Sequence, residues 1–102
     1  MRFMMVCKFP HDEFNDTIRD GMAGQKIQEI LEHLQPEAAY FTEFDGQRTG
    51  VFIVDIKDAT EIPKYAEPFF LTWTADVEFH PVMSPQDLGA AGLDALGDKW
   101  LD

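Results

Sequence analysis

Two short runs in this chain are apolar at every position. Phe3-Met4-Met5-Val6-Cys7 stands near the start and Val51-Phe52-Ile53-Val54 near the middle. Side chains alternate between the two faces of a strand, so a strand of this kind is buried on both. Each run therefore belongs in the interior of a sheet. Helices can cover one face of that sheet, and the other face needs a cover of its own.

The remaining elements follow from periodicity and punctuation. The first strand reads from Arg2 to Phe9 and ends at Pro10. From His11 to Gln35, Phe14, Ile18, Met22, Ile27, Ile30, Leu31 and Leu34 recur mostly three and four apart, which draws a stripe along a helix. Asp12 and Asp16 fall in its first turns, where the helix dipole favours acids, and Pro36 stops it. Gly21 and Gly24 each cost about 1 kcal/mol relative to Ala inside a helix, so a break or kink is expected there. Glu37 to Phe44 reads as a second strand, Asp45-Gly46-Gln47-Arg48 as a hairpin turn, and Thr49 to Ile56 as a third strand.

Asp58 to Trp73 reads as a second helix, with Asp58 or Thr60 as its cap and Pro63 near its first turn. Its expected apolar face is Ile62, Ala66, Phe69, Phe70 and Trp73, and Pro68 is expected to bend or split it. The fourth strand, Ala75 to Met83, alternates cleanly: Val77, Phe79 and Pro81 point one way, Asp76, Glu78 and His80 the other. Ser84-Pro85-Gln86-Asp87 is a capping box that opens a C-terminal helix to about Trp100. Leu88, Ala91, Ala95, Leu96 and Trp100 are expected on its buried side, packed on its own domain or on a twin.

The order is strand, helix, strand, strand, helix, strand, with a trailing helix, in one domain over residues 1–102. Right-handed crossovers put both main helices on one face of a four-stranded antiparallel sheet. That is an α+β, ferredoxin-like βαββαβ fold. Its other face carries Phe, Met, Val and Ile from two central strands, too apolar for water. A second copy packed face to face is the economical cover, so a homodimer is expected.

Charge narrows the partners. With 19 acids against 8 bases the formal net charge is -11, which repels phosphate backbones and anionic lipid headgroups. Nucleic acid and membrane surfaces are therefore set aside as partners. Cys7 is the single cysteine, so no internal disulfide is possible and its role is that of a small buried hydrophobe. Met1 to Phe9 lacks the apolar core and cleavage site of a signal peptide, and the expected location is the cytoplasm.

The stretches MRFMMVCKFP, EAAYFTEFDG and VEFHPVMSPQDL, with the element order, resemble small bacterial members of the dimeric α+β barrel superfamily. The resemblance covers the whole chain but lies in element order and local phrasing, with no signature motif. It implies a face-to-face dimeric barrel. That superfamily spans cofactor-free monooxygenases, muconolactone isomerases, small polyketide cyclases, haem-binding members and ligand-binding modules. Fold does not choose among them.

The fourth strand holds the residues best suited to chemistry. Glu78 and His80, two apart, share its open side, and a carboxylate can orient an imidazole and raise its basicity. Tyr40 on the second strand is expected to reach the same cavity. The expected roles are His80 as base, Glu78 as orienter and Tyr40 as donor, set against an ordinary polar strand face. His11 follows Pro10 at a junction that could rim a barrel mouth, and His33 lies on a polar helix face. The three histidines show no HxH or HxxxH spacing, so no metal is expected. No cofactor is expected either: no phosphate loop, dinucleotide fingerprint or Cys-x-x-Cys-His occurs. Two function classes stand open. One is a homodimeric barrel whose apolar cavity, between sheet and helices, binds a small hydrophobic molecule, with scope for cofactor-independent acid/base chemistry. The other is a non-catalytic dimeric ligand-binding or structural module.

Overall fold

The computed structural model describes residues 1–101. The elements are β1 (Arg2–Lys8), α1 (His11–Arg19), α2 (Ala23–Leu34), β2 (Ala38–Phe44), β3 (Gln47–Asp55), α3 (Ile62–Trp73), β4 (Asp76–Pro81), α4 (Pro85–Ala90) and α5 (Leu93–Lys99). One 3-10 turn, Ala59–Glu61, leads into α3. The strands form a single antiparallel sheet in the order β2-β3-β1-β4. The two all-apolar runs thus occupy its two central strands, and the fold is ferredoxin-like α+β.

Local chemistry accounts for the boundaries. Asp45 and Gly46 both adopt left-handed φ, 54° and 75°, as a two-residue hairpin turn matched to strand twist requires. The expected long first helix breaks in two. Gly21, at φ 73°, turns the chain between α1 and α2, and the Met22 amide donates to the Thr17 carbonyl at 2.9 Å. Gly24 lies inside α2 and does not break it. Asp58 caps the turn before α3 by accepting from the Thr60 amide at 2.9 Å, while Glu61 accepts from the Asp58 amide at 3.1 Å. Pro68 sits inside α3 without ending it.

The helices pack on one face of the sheet. Met5 and Cys7 of β1, Phe52 and Val54 of β3, and Phe3, Val77 and Phe79 meet Phe14, Ile30, Leu34, Tyr65, Phe69 and Trp73 there. A ladder of rings runs through this core. Phe41 meets Phe52 at 5.7 Å, Phe52 meets Phe69 at 5.4 Å, and Phe9 meets Trp73 at 5.0 Å. The buried polar atoms are paired: the Trp73 indole donates to Thr17 Oγ1 at 3.0 Å, and the Tyr65 hydroxyl donates to the Asp55 carbonyl at 3.2 Å. On α3 the expected face is rotated. Tyr65 is buried, whereas Phe70 and Ile62 are exposed.

The C-terminal segment departs most from expectation. Gly92, at φ 73°, divides it into α4 and α5. Leu88, Ala91, Ala95, Leu96 and Trp100 were expected to be buried, but every residue from Pro85 to Leu101 is exposed. A helical apolar stripe shows that a face wants burial without saying which surface supplies it. The segment is an arm that runs off the body. With it the chain measures 60 × 28 × 20 Å, and its radius of gyration is 17.3 Å. A compact domain of this length has about 13 Å.

Candidate functional site

The uncovered face of the sheet is built by register. Successive residues alternate sides, so Met4 and Val6 of β1 and Val51 and Ile53 of β3 point away from the helices. Cross-strand pairing sets them in rows. Tyr40 pairs with Val51, Val51 with Val6, and Val6 with Glu78. In the next row Ala38 pairs with Ile53, Ile53 with Met4, and Met4 with His80. The result is an apolar floor of four side chains with a polar border on both edge strands.

Ion pairs close the two ends of this floor. Arg2 Nε donates to Glu37 at 2.9 Å at one end, and Lys8 Nζ donates to Asp45 at 3.1 Å at the other. The bond to Glu37 holds the Arg2 guanidinium pKa above its usual value. The N-terminal ammonium pairs with Asp55 at 3.0 Å and holds that carboxyl below the usual carboxylate range. Such exposed pairs do little for stability.

Glu78 and His80 come together as their spacing predicts. His80 Nε2 and Glu78 Oε1 are 3.0 Å apart, and the two side chains are 49% and 54% exposed. Tyr40 lies on the same face, 68% exposed, but on the opposite edge strand. Three strand spacings, roughly 14 Å, separate it from β4. Side chains stand roughly perpendicular to a sheet, so within one chain Tyr40 does not join the Glu78–His80 pair. His11 is the exposed first residue of α1, and His33 is exposed in the last turn of α2.

Helices and sheet pack tightly around Phe52 and Phe69. The gap lined by Phe9, Ile27, Ile30, Leu31, Phe41, Phe52 and Phe69 is too narrow for a water molecule. Glu78, His80 and Tyr40 lie on the other side of the sheet from this gap. At the gap's outer lip is an open cleft of about 290 Å³ lined by Phe9, Phe14, Phe41, Thr42, Arg48 and Thr49. Sequence reasoning placed Arg48 in a turn and missed it. Its guanidinium lies 4.9 Å from the Phe14 ring and donates to Asn15 Oδ1 at 2.9 Å. No local sequence signal marks it, because both partners come from α1.

Cys7 is fully buried, and desolvation pushes its thiol pKa up to about 12. It is a core residue and not a nucleophile. Among the described residues, no three His, Cys, Asp or Glu side chains converge to hold a metal ion. Among the same residues, no helix is long and apolar enough to cross a membrane.

Fold and face together define a small ferredoxin-like α+β domain with one uncovered, apolar sheet face. Residues 1–96 match the model of a family described as a domain of unknown function, DUF3303, and the chain belongs to that family. No curated protein matches the chain.

Proposed function

We propose that the chain works as a homodimer in the cytoplasm. Its two open sheet faces would stack and enclose a small, largely hydrophobic molecule. The observation that supports this reading is the floor of Met4, Val6, Val51 and Ile53 on the sheet face away from the helices, where neighbouring side chains half-bury Met4, Val51 and Ile53 and leave Val6 8% exposed. An apolar sheet face with a polar border and no helix over it is a candidate binding surface. Stacked sheets sit about 10 Å apart, which leaves room for a flat ligand wherever side chains are short. The Glu78–His80 pair on the rim supplies a base and its orienter for cofactor-independent proton transfer. In a two-fold stack whose axis runs along the strands, the partner's β2 lies over β4 and brings the partner's Tyr40 toward that pair.

Nile red, a neutral dye that brightens in apolar sites, tests this reading. The wild-type chain should bind it with blue-shifted emission at concentrations where sedimentation shows a dimer. Val51→Asp should abolish both binding and dimer. A dimer that leaves the dye dark would sink the ligand site. A second reading, a non-catalytic dimeric module, draws on the exposure of Glu78 and His80, which are about half in water. His80→Ala separates the two. Unchanged dye binding with lost proton exchange on a bound carbon acid marks the acid/base site, and no exchange in the wild type marks the module.

A further inference from the structure

We infer that the cleft beside Arg48 binds a small monocarboxylic acid with a flat apolar body. The cleft holds about 290 Å³, and Phe9, Phe14 and Phe41 give it apolar walls around a single cation. It opens on the helix side of the sheet, away from the face proposed for the dimer, so the site does not depend on that pairing. Phe41 belongs to this side: it pairs with Gly50 of β3, and its ring meets Phe52 of the core at 5.7 Å. Arg48 stands two residues from Gly50 on the same strand and therefore points the same way.

Three contacts hold Arg48 in place. Its carbonyl accepts from the Phe9 amide at 2.9 Å, which pins its backbone to the end of β1. Its guanidinium lies 4.9 Å from the centre of the Phe14 ring, and that ring stacks on buried Trp73 at 5.3 Å. One N–H donates to Asn15 Oδ1 at 2.9 Å. Asn15 is neutral, so it orients the guanidinium without answering its charge. The nearby acids are turned elsewhere. Glu43, opposite Arg48 across the β2–β3 pair, accepts from the Gly46 amide at 2.9 Å, and Asp45 pairs with Lys8 at 3.1 Å. Among the described residues, no carboxylate stands within ion-pair distance of the Arg48 side chain. In a chain with 19 acids and 8 bases, a half-buried arginine left without one is the informative exception.

These features select the ligand. A guanidinium offers parallel N–H donors that match the two oxygens of a carboxylate. Aromatic walls favour a flat apolar body over a sugar or a polyol. Inward of the cleft, the gap beside Ile27, Ile30, Phe52 and Phe69 is too narrow for a water molecule, so a long acyl chain cannot thread into the core. The net charge of -11 disfavours multiply charged anions more than a single carboxylate, since repulsion scales with the charge of the ligand. Fatty acids and phosphate esters are thereby set aside.

The test titrates the full chain with phenylacetate, phenylacetamide and inorganic phosphate at fixed ionic strength, read by calorimetry and by NMR chemical shifts. Phenylacetate should bind with a Kd of about 1 mM or tighter, within reach of a ligand of about ten non-hydrogen atoms. Phenylacetamide has the same shape without the charge and should bind at least about tenfold more weakly. Arg48→Gln should bring the acid down to the level of the amide and leave the amide unmoved. Should that variant fail to fold, the wild-type shifts decide: signals of Phe14, Phe41, Thr42 and the Arg48 Nε–H should move with phenylacetate. Equal binding of acid and amide overturns the carboxylate assignment, and so does phosphate that displaces phenylacetate at equal concentration. No binding at about 10 mM phenylacetate, tenfold above the expected Kd, overturns the site. Shifts confined to Met4, Val51 and Ile53, with Arg48 still, put the acid on the open sheet face; they overturn this cleft and support the site proposed there.

Discussion

Cys7 shows how burial sets reactivity. Its thiol pKa is raised to about 12 in the folded chain, against about 8.5 for a free cysteine. The unfolded chain therefore loses this proton first as pH rises. Stability from this group is fully present below about pH 8.5 and declines by up to about 1.4 kcal/mol per pH unit until the folded value is reached. Urea melts at rising alkaline pH should show that decline, and Cys7→Ser should flatten it. A thiol reagent should react only after unfolding. Gly50 has a different constraint. A Cβ built there stands 2.7 Å from the tip of the Phe52 ring, which is itself fixed between Phe41 and Phe69. Gly50→Ala should cost about 1–3 kcal/mol, read as a lower denaturant midpoint with unchanged slope.

At the scale of elements, two capping boxes depend on ionised carboxylates. Hydrogen bonds from the Thr60 backbone and hydroxyl hold the Asp58 pKa below the usual carboxylate value, and Ser84 does the same for Asp87. Each carboxylate binds its proton less readily when folded. Its contribution is therefore present above the unfolded carboxylate range, about pH 4, and is lost as pH falls through the lower folded values. Helical circular dichroism should drop across that acid window, and Asp58→Asn with Asp87→Asn should remove the pH dependence. The strands were legible from sequence because each signal was local: two all-apolar runs, one Asp-Gly turn and the alternation from Asp76 to Pro81. The helix faces were less so. Period alone put Phe70 inside and left Tyr65 out, because a tyrosine buries its ring once its hydroxyl finds the Asp55 carbonyl across the fold.

At the scale of the molecule, the two all-apolar runs implied a sheet with helices on one face, and the register shows which side chains occupy the other. The Glu78–His80 pair was readable because both residues sit on one strand, two apart. The distance to Tyr40 was not, since it depends on sheet order, which places β2 and β4 at opposite edges. The arm's apolar stripe was legible but its receiving surface was not, because the stripe has the same period whether it packs on its own domain or on a twin.

The arm also changes how the chain moves through solvent. An 11.7 kDa molecule 60 Å long and 20 Å thin meets more friction than a sphere of its mass. On a sizing column a lone chain would run ahead of compact proteins of its weight and mimic a larger species. Elution position therefore overstates the mass of the single chain, and only a shape-independent measurement of mass can count the copies.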